Sequence, residues 1–221
     1  MKKIFTTILA ASMMLVGLNA FAQMSVGAGY VNSDQRFRLK KDSKPEVGNL
    51  SGFYAGGEYN IDLMKYISIA PGIQYEFLAS KESQFLGIKS KLQEHYVNVP
   101  VNVRFNFPLA DDLRLFAFGG PTLSCGIVSK SIANIPIIGE KKLDNYGKNE
   151  ISGDKSSYGR FDVMLGAGLG FEALNAIQVK VGYDWGLLDR NSTDAIQHRN
   201  RLYIGVAYSS DMPNIELRQA V

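Results

Sequence analysis

Only one cysteine, Cys125, occurs among 221 residues, together with one tryptophan and two histidines. A single thiol excludes an intramolecular disulfide and a cysteine-built zinc site, so Cys125 reads as an inert apolar filler. His95 and His198 are the only near-neutral bases. The chain has no Gly-x-Ser-x-Gly, no metal-ligand spacing and no phosphate-binding loop. Gly166-Ala-Gly168-Leu-Gly170 falls inside a strand pattern, which makes it packing rather than nucleotide binding. No catalytic residue, metal or cofactor is therefore expected, and no enzyme. An excess of one charge is missing too. Lys and Arg total 24 against 21 Asp and Glu, a net +3, which argues against nucleic acid as a partner. Helical periodicity is absent, and beyond residue 22 no apolar run approaches the ~18 residues of a membrane helix. If this chain crosses a membrane, it does so by strands.

What is present begins with MKKIFTTILAASMMLVGLNAFAQ. Lys2 and Lys3 make a basic n-region, Ile4 to Val16 an apolar h-region and Ala20-Phe21-Ala22 a small-x-small cleavage signal. Residues 1–22 are thus expected to be a secretory leader, with the mature chain starting at Gln23 and close to neutral. The remainder suits one domain. Its 22 glycines, 11 tyrosines and 12 phenylalanines give it an all-β composition.

Eight strands are expected, over 24–33, 50–61, 67–80, 92–109, 113–128, 157–172, 177–188 and 200–210. The fourth shows the pattern best. In YVNVPVNVRFNFPL (96–109), Val97, Val99, Val101, Val103, Phe105, Phe107 and Leu109 alternate with Tyr96, Asn98, Pro100, Asn102, Arg104 and Asn106. A period of two separates an oily face from a polar one. Pro100 removes a ladder donor and predicts a local bulge. The fifth strand is the weak one, because Phe116 and Phe118 occupy the face that should be polar.

Long and short connections alternate along the chain. SDQRFRLKKDSKPEVGN, KESQFLGIKSK, SKSIANIPIIGEKKLDNYGKNEISGDKSS and DRNSTDAIQHR are long, whereas DLMK, ADD and ALNA are short. An up-and-down meander with one trimmed and one elaborated end has this arrangement, as outer-membrane barrels do. The even strand number puts both termini at the trimmed, periplasmic end. Aromatics sort by depth on the oily face. Tyr30, Phe53, Tyr75, Phe77, Phe161, Tyr183 and Trp185 fall at the outer end; Tyr59, Phe105, Phe107, Phe171 and Tyr208 fall at the inner end. Two girdles around an aliphatic band match two lipid–water interfaces. The opposite face carries Glu58, Arg104, Glu172 and Lys180 in an inner half and Glu76, Arg160, Asp162, Asp184 and Arg201 in an outer half. Charges packed in a small barrel must pair, and glycines beside them leave room for long side chains. The expected fold is an eight-stranded antiparallel up-and-down transmembrane β-barrel over 23–210, oily side to lipid, with a periplasmic tail over 211–221.

In GFYAGGEYNIDLMKYISIAPGIQYEF (52–77), YVNVPVNVRFNF (96–107), FAFGGPTLSCGI (116–127), RFDVMLGAGLGFE (160–172) and VKVGYDWGLLD (179–189), the chain resembles the outer-membrane β-barrel family that includes the PorT-like proteins of Gram-negative bacteria with type IX secretion. The resemblance implies a small barrel of the cell envelope, with secretion roles in a subset of members. One departure is the C-terminus. Such barrels usually end on an aromatic read by the insertion machinery, but here DMPNIELRQAV follows Tyr208-Ser-Ser, which would make Tyr203 or Tyr208 the internal signal.

His198 reads as a solvated loop residue. His95, beside Glu94 at the outer rim, is the one candidate for a lipid-modifying rim hydrolase, a remote reading without a paired serine motif. Arg36, Arg38, Lys40, Lys41 and Lys44 in the first long connection, with Lys141, Lys142 and Lys148 in the third, read as solvated loops with interspersed acids, and the functional alternative is contact with lipopolysaccharide headgroups. The leading expectation is a non-enzymatic outer-membrane protein that meets outer-membrane lipid, lipopolysaccharide and envelope proteins, including a PorT-like secretion accessory. A narrow channel for ions or small solutes is the alternative.

Overall fold

A computed structural model describes residues 22–39, 46–85, 88–135, 139–147, 159–188 and 195–210. Residues 1–21 of the expected leader, the 211–221 tail and the loop cations Lys40, Lys41, Lys44 and Lys148 lie outside these. So do the side chains of Arg36, Arg38, Lys141 and Lys142. The strands are β1 (Ala22–Leu39), β2 (Glu46–Met64), β3 (Ile67–Ser80), β4 (Ser83–Phe85), β5 (Ile88–Ala110), β6 (Leu113–Ile135), β7 (Gly139–Asp144), β8 (Phe161–Ala173), β9 (Ile177–Gly186) and β10 (Ala195–Ser210). Each main strand pairs antiparallel with its neighbours in the order β5-β3-β2-β1-β10-β9-β8-β6, and β5 pairs with β6. The sheet therefore closes into a ring of eight strands, which leaves no edge. β4 and β7 are short additions that fold back as hairpins on β5 and β6.

Several strands overrun their expected bounds at the end with the long connections. β1 stays in register with β10 up to Leu39↔Ala195, and β5 with β6 up to Lys89↔Asn134. Past the apolar band polar and apolar residues mix without a regular period, so the ladder continues where the alternation that reveals it in sequence has stopped. His198 consequently lies within β10, opposite Arg36, and not in a loop. At the other end the connections are tight turns at Lys65-Tyr66, Asp111-Asp112 and Leu174–Ala176. The last holds Leu174 and Asn175 at φ 56° and 51°. The first and last strands start and finish at this end, with Met24 opposite Ser210.

Pro100 makes no bulge. The register is the same at Pro100↔Thr122 and Val103↔Gly119, whereas shifts occur at Asp62/Met64, His95/Tyr96 and Pro108/Ala110. The proline ring is buried and faces Gly72, whose missing side chain gives it space.

The faces are inverted relative to a water-soluble barrel. Val99, Val101, Val103, Phe105, Phe107 and Leu109 point outward and are exposed, Val101 at 40 %, while Asn98, Asn102, Arg104 and Asn106 point into the bore. The same holds around the ring, from Leu165 and Leu169 on β8 to Val179 and Val181 on β9 and Leu202, Ile204 and Val206 on β10.

Candidate functional site

Among the described residues, charge out of water is concentrated in the bore, which is filled by the chain's own side chains. Glu76 on β3 is fully buried at the centre of the outer half. Arg199 Nη2 donates to its Oε1, and Arg201 Nη1 donates to its Oε2 at 2.7 Å. Arg201 also reaches Asp184 through Nε at 2.9 Å and Nη2 at 2.7 Å. Asn98 Nδ2 donates to Glu76 Oε2 at 2.8 Å, Ser124 donates to Asn98 Oδ1 at 2.6 Å, and Arg199 Nη1 donates to Ser124 Oγ at 3.2 Å. Three strands thus meet at one carboxylate, and β6 and β9 join through its partners. Guanidinium planes lie over rings as well, Arg199 3.7 Å from Tyr96 and Arg201 4.7 Å from Tyr203. Buried charges persist because each finds an opposite partner and further hydrogen bonds.

Above this clamp, Glu94 is fully buried and accepts from Gln35 Nε2 at 2.6 Å, the Tyr96 hydroxyl at 2.6 Å and Ser129 at 3.1 Å. Asn145 bridges Ser129 and Ser131, and the buried Tyr146 occupies the space beside Gly126. Arg160 does not join the bore. β8 starts at Phe161, and Arg160, just before it, accepts the Gly126 N–H at 2.6 Å through its carbonyl while its side chain is exposed, the guanidinium 4.8 Å from the Tyr146 ring. Asp162 is buried in the bore wall.

Below the clamp lies an aromatic layer. Tyr54, Tyr203, Phe116 and Phe118 form it, and they belong to one apolar cluster that continues past the clamp to Tyr96, Val31, Leu50 and Leu78. Tyr54 and Tyr203 meet edge to face with centroids 5.7 Å apart. The layer fits because glycines on adjacent strands lack side chains. A β-carbon at Gly205 would overlap Tyr54, one at Gly182 Tyr203, one at Gly168 Phe118 and one at Gly170 Phe116. The weak fifth strand is explained here: its two rings face inward into notches cut by the β8 glycines. Most of these glycines make room for rings, while Gly166 makes room for Asp184.

The inner half is looser. Lys180 Nζ donates to Glu58, which also accepts from Gln74 Nε2 at 3.2 Å. Glu172 accepts from Gln178 at 2.8 Å and lies 3.4 Å from Arg114. Arg104 stacks 3.8 Å over the Phe116 ring, yet its Nε and Nη2 make no hydrogen bond, nor do Asn60 Oδ1, Asn106 Oδ1 or Gln74 Oε1. A cavity of about 10 Å³ lies against Glu58, Gln74, Lys180 and Tyr54, room for about one water.

The outward face carries all the aromatics expected there. Tyr30, Phe53, Tyr75, Phe105, Phe107, Phe161, Phe171, Trp185 and Tyr208 are exposed, and Tyr59, Phe77 and Tyr183 half-buried. Of the two tyrosines near the last strand's end, Tyr208 faces out and Tyr203 into the bore. Rings gather over β2, β3 and β5: Phe53–Phe77 at 5.5 Å, Phe77–His95 at 5.0 Å, and Tyr75 hydrogen-bonded to His95 Nδ1 at 2.5 Å. His95 therefore packs on Tyr75 and Phe77, while Glu94, next in sequence, points to the other side of the sheet. Among the described residues no His, Cys, Asp and Glu group could hold a metal.

Sequence reasoning missed Arg199, Gln35, Tyr54 and Tyr146, and gave Glu94 and Tyr203 other roles. Continuing the inward parity of Arg201 and Tyr203 by one step would have found Arg199. Doing the same from Asn98 and Tyr96 would have found Glu94. Tyr146 carries no such signal, because it comes from a connection.

Residues 8–209 match the family described as outer membrane protein beta-barrel domain. No curated protein sequence matches the chain. Among solved structures, the chain is similar to Ail, the attachment invasion locus protein of Yersinia pestis, at 14% identity and TM-score 0.47, covering 86% of this chain and 99% of Ail. It is similar to Neisserial surface protein A at 10% identity and TM-score 0.43, covering 84% and 96%. It is also similar to OprG from Pseudomonas aeruginosa at 9% identity and TM-score 0.45, covering 86% and 97%.

Proposed function

Because the chain belongs to the outer membrane protein beta-barrel domain family, and is thus a protein of the outer membrane, we propose that it is a non-enzymatic envelope protein whose sealed barrel anchors an interaction surface. One observation carries this reading: the bore holds ion pairs and stacked rings where a porin would hold water. An eight-stranded ring encloses only what side chains can fill. The long connections face the outside and both termini the periplasm, after removal of a leader over 1–22, with 211–221 as a periplasmic tail. Tyr30, Phe53, Tyr75, Phe77, Phe161, Tyr183 and Trp185 mark the outer lipid interface and Tyr59, Phe105, Phe107, Phe171 and Tyr208 the inner one. Lipopolysaccharide and envelope proteins are its partners. The narrower role, a PorT-like accessory to secretion, is supported by the sequence resemblance. Planar-bilayer recording of the refolded protein tests the reading: the expected result is conductance at the level of protein-free membranes, and steady ion current would overturn it. Secretion of cargo in a deletion strain tests the narrower role, and unchanged export would remove it.

A narrow channel is the second reading. The under-bonded inner half, with Arg104 Nε and Nη2 and the amide oxygens of Asn60 and Asn106 unmatched inside the protein, favours it, since buried polar groups are satisfied by water where protein does not do so.

A further inference from the structure

Over β1, β2, β3, β5 and β6 the outward face is graded toward the end with the long connections. The ring cluster of Tyr30, Phe53, Tyr75, Phe77 and His95 spans β1, β2, β3 and β5, with Tyr30 opposite Phe53, Phe53 opposite Phe77 and Phe77 opposite His95. One step farther out come neutral polar groups, Asn32 donating to Ser51 at 3.0 Å and Gln93 on β5. Lysines come next, Lys130 level with Gln93 and the other two a step beyond. Ser80 accepts from the Leu92 N–H at 2.8 Å, which sets Lys81 beside Lys91, and Lys130 on β6 is opposite Gln93. All three lysines are exposed. Of their acidic neighbours, Glu82 pairs with Lys89 at 2.7 Å, and Asp144, opposite Lys130 in the β6–β7 register, accepts the Tyr146 N–H at 3.0 Å. Like charges set side by side repel unless an anion lies between them.

We propose that this sector, the Tyr30–Phe53–Tyr75–Phe77–His95 shelf capped by Lys81, Lys91 and Lys130, is a binding site for a phosphate-bearing lipid of the outer leaflet. Rings take the upper acyl chain and glycerol or sugar level, amides and hydroxyls the next, and ammonium groups the phosphate. Phe77 to Lys81 is four residues, on the order of 10 Å of height for a strand tilted ~40°. That is a few ångströms more than the ~5–8 Å of a headgroup layer, a gap that lysine stems close by bending back toward the membrane. The inference rests on the reading that the long-connection end faces outside and meets anionic lipid, but it moves the contact from the loop cations to the sheet.

The test uses the full chain refolded in uncharged detergent, with retained lipid counted by native mass spectrometry. The probes are a bis-phosphorylated glycolipid, the same glycolipid without phosphates, and inorganic phosphate as competitor. Wild type retains the phosphorylated form preferentially, and Lys81→Gln/Lys91→Gln/Lys130→Gln lowers that affinity by on the order of a hundredfold, roughly fivefold per lysine near an anionic surface. Phe53→Ala/Phe77→Ala lowers retention of both lipid forms. Unchanged affinity in the lysine variant overturns the site. If Lys40→Gln/Lys41→Gln/Lys44→Gln abolishes binding instead, the lipid partner stands and this site falls. If wild type ignores the phosphates, both fall. Competition by equimolar inorganic phosphate makes the site one for free anion and overturns the lipid assignment.

Discussion

Glu76 is the residue on which the outer half of the bore converges, since two arginines share its two oxygens. Glu76→Gln leaves Arg199 without a carboxylate, while Arg201 keeps Asp184. Breaking a buried pair by removing one partner costs about 3–5 kcal/mol, so the urea midpoint should fall markedly. Glu82→Gln, which breaks the exposed pair with Lys89, should change stability by less than about 1 kcal/mol. The same measurement on both variants separates burial from mere proximity. Gly170 offers a second test. An added methyl there overlaps the Phe116 ring, so Gly170→Ala should cost about 1–3 kcal/mol by overpacking. Phe116→Ala should remove most of that penalty, giving a double-mutant coupling above about 0.5 kcal/mol. Additive losses would mean that the notch is not what the glycine supplies.

Among the elements, the Leu174-Asn175 turn is the one built against local preference. Both residues hold positive φ, which suits Asn followed by Gly and costs leucine roughly 1 kcal/mol. Leu174→Asn should therefore raise the urea midpoint, read on refolded protein, by about 0.5–1 kcal/mol. β5 was legible from its sequence because its two faces meet different media over 97–109. The outer reaches of β1, β5, β6 and β10 were not, because polar and apolar residues mix there without a regular period. That loss placed Arg199 and His198 in a loop, although Arg199 is fully buried in the bore. Arg160 failed in the opposite way, by carrying a parity past the point where the strand begins. Phe116 and Phe118 had the right parity but no reason, since the reason lies 50 residues on, at Gly168 and Gly170, and only register connects them.

For the whole molecule, the clamp at Glu76 and the aromatic layer of Tyr54, Tyr203, Phe116 and Phe118 obstruct the bore one after the other. Glu76→Ala/Arg199→Ala keeps the Arg201–Asp184 pair and should stay silent in planar bilayers, as should Tyr54→Ala/Phe118→Ala. The four substitutions together should give measurable current. Conduction by either pair alone would show that the other obstruction is not a barrier. Inversion of the faces is checked separately by spin labels: a probe at Val101 should report hydrocarbon, whereas one on Asn102 should report a polar, immobile surrounding.

The ring is completed by the seam from Met24↔Ser210 to Leu39↔Ala195, between the first strand made and the last. β10 brings more than hydrogen bonds to that seam, for both cations of Glu76 arrive on it. A chain without residues 195–210 is a curved ribbon with two raw edges and an orphan anion. Neutralisation and closure are thus one event, completed when the last strand docks, and a truncated polypeptide is left in a form that no bilayer will accept.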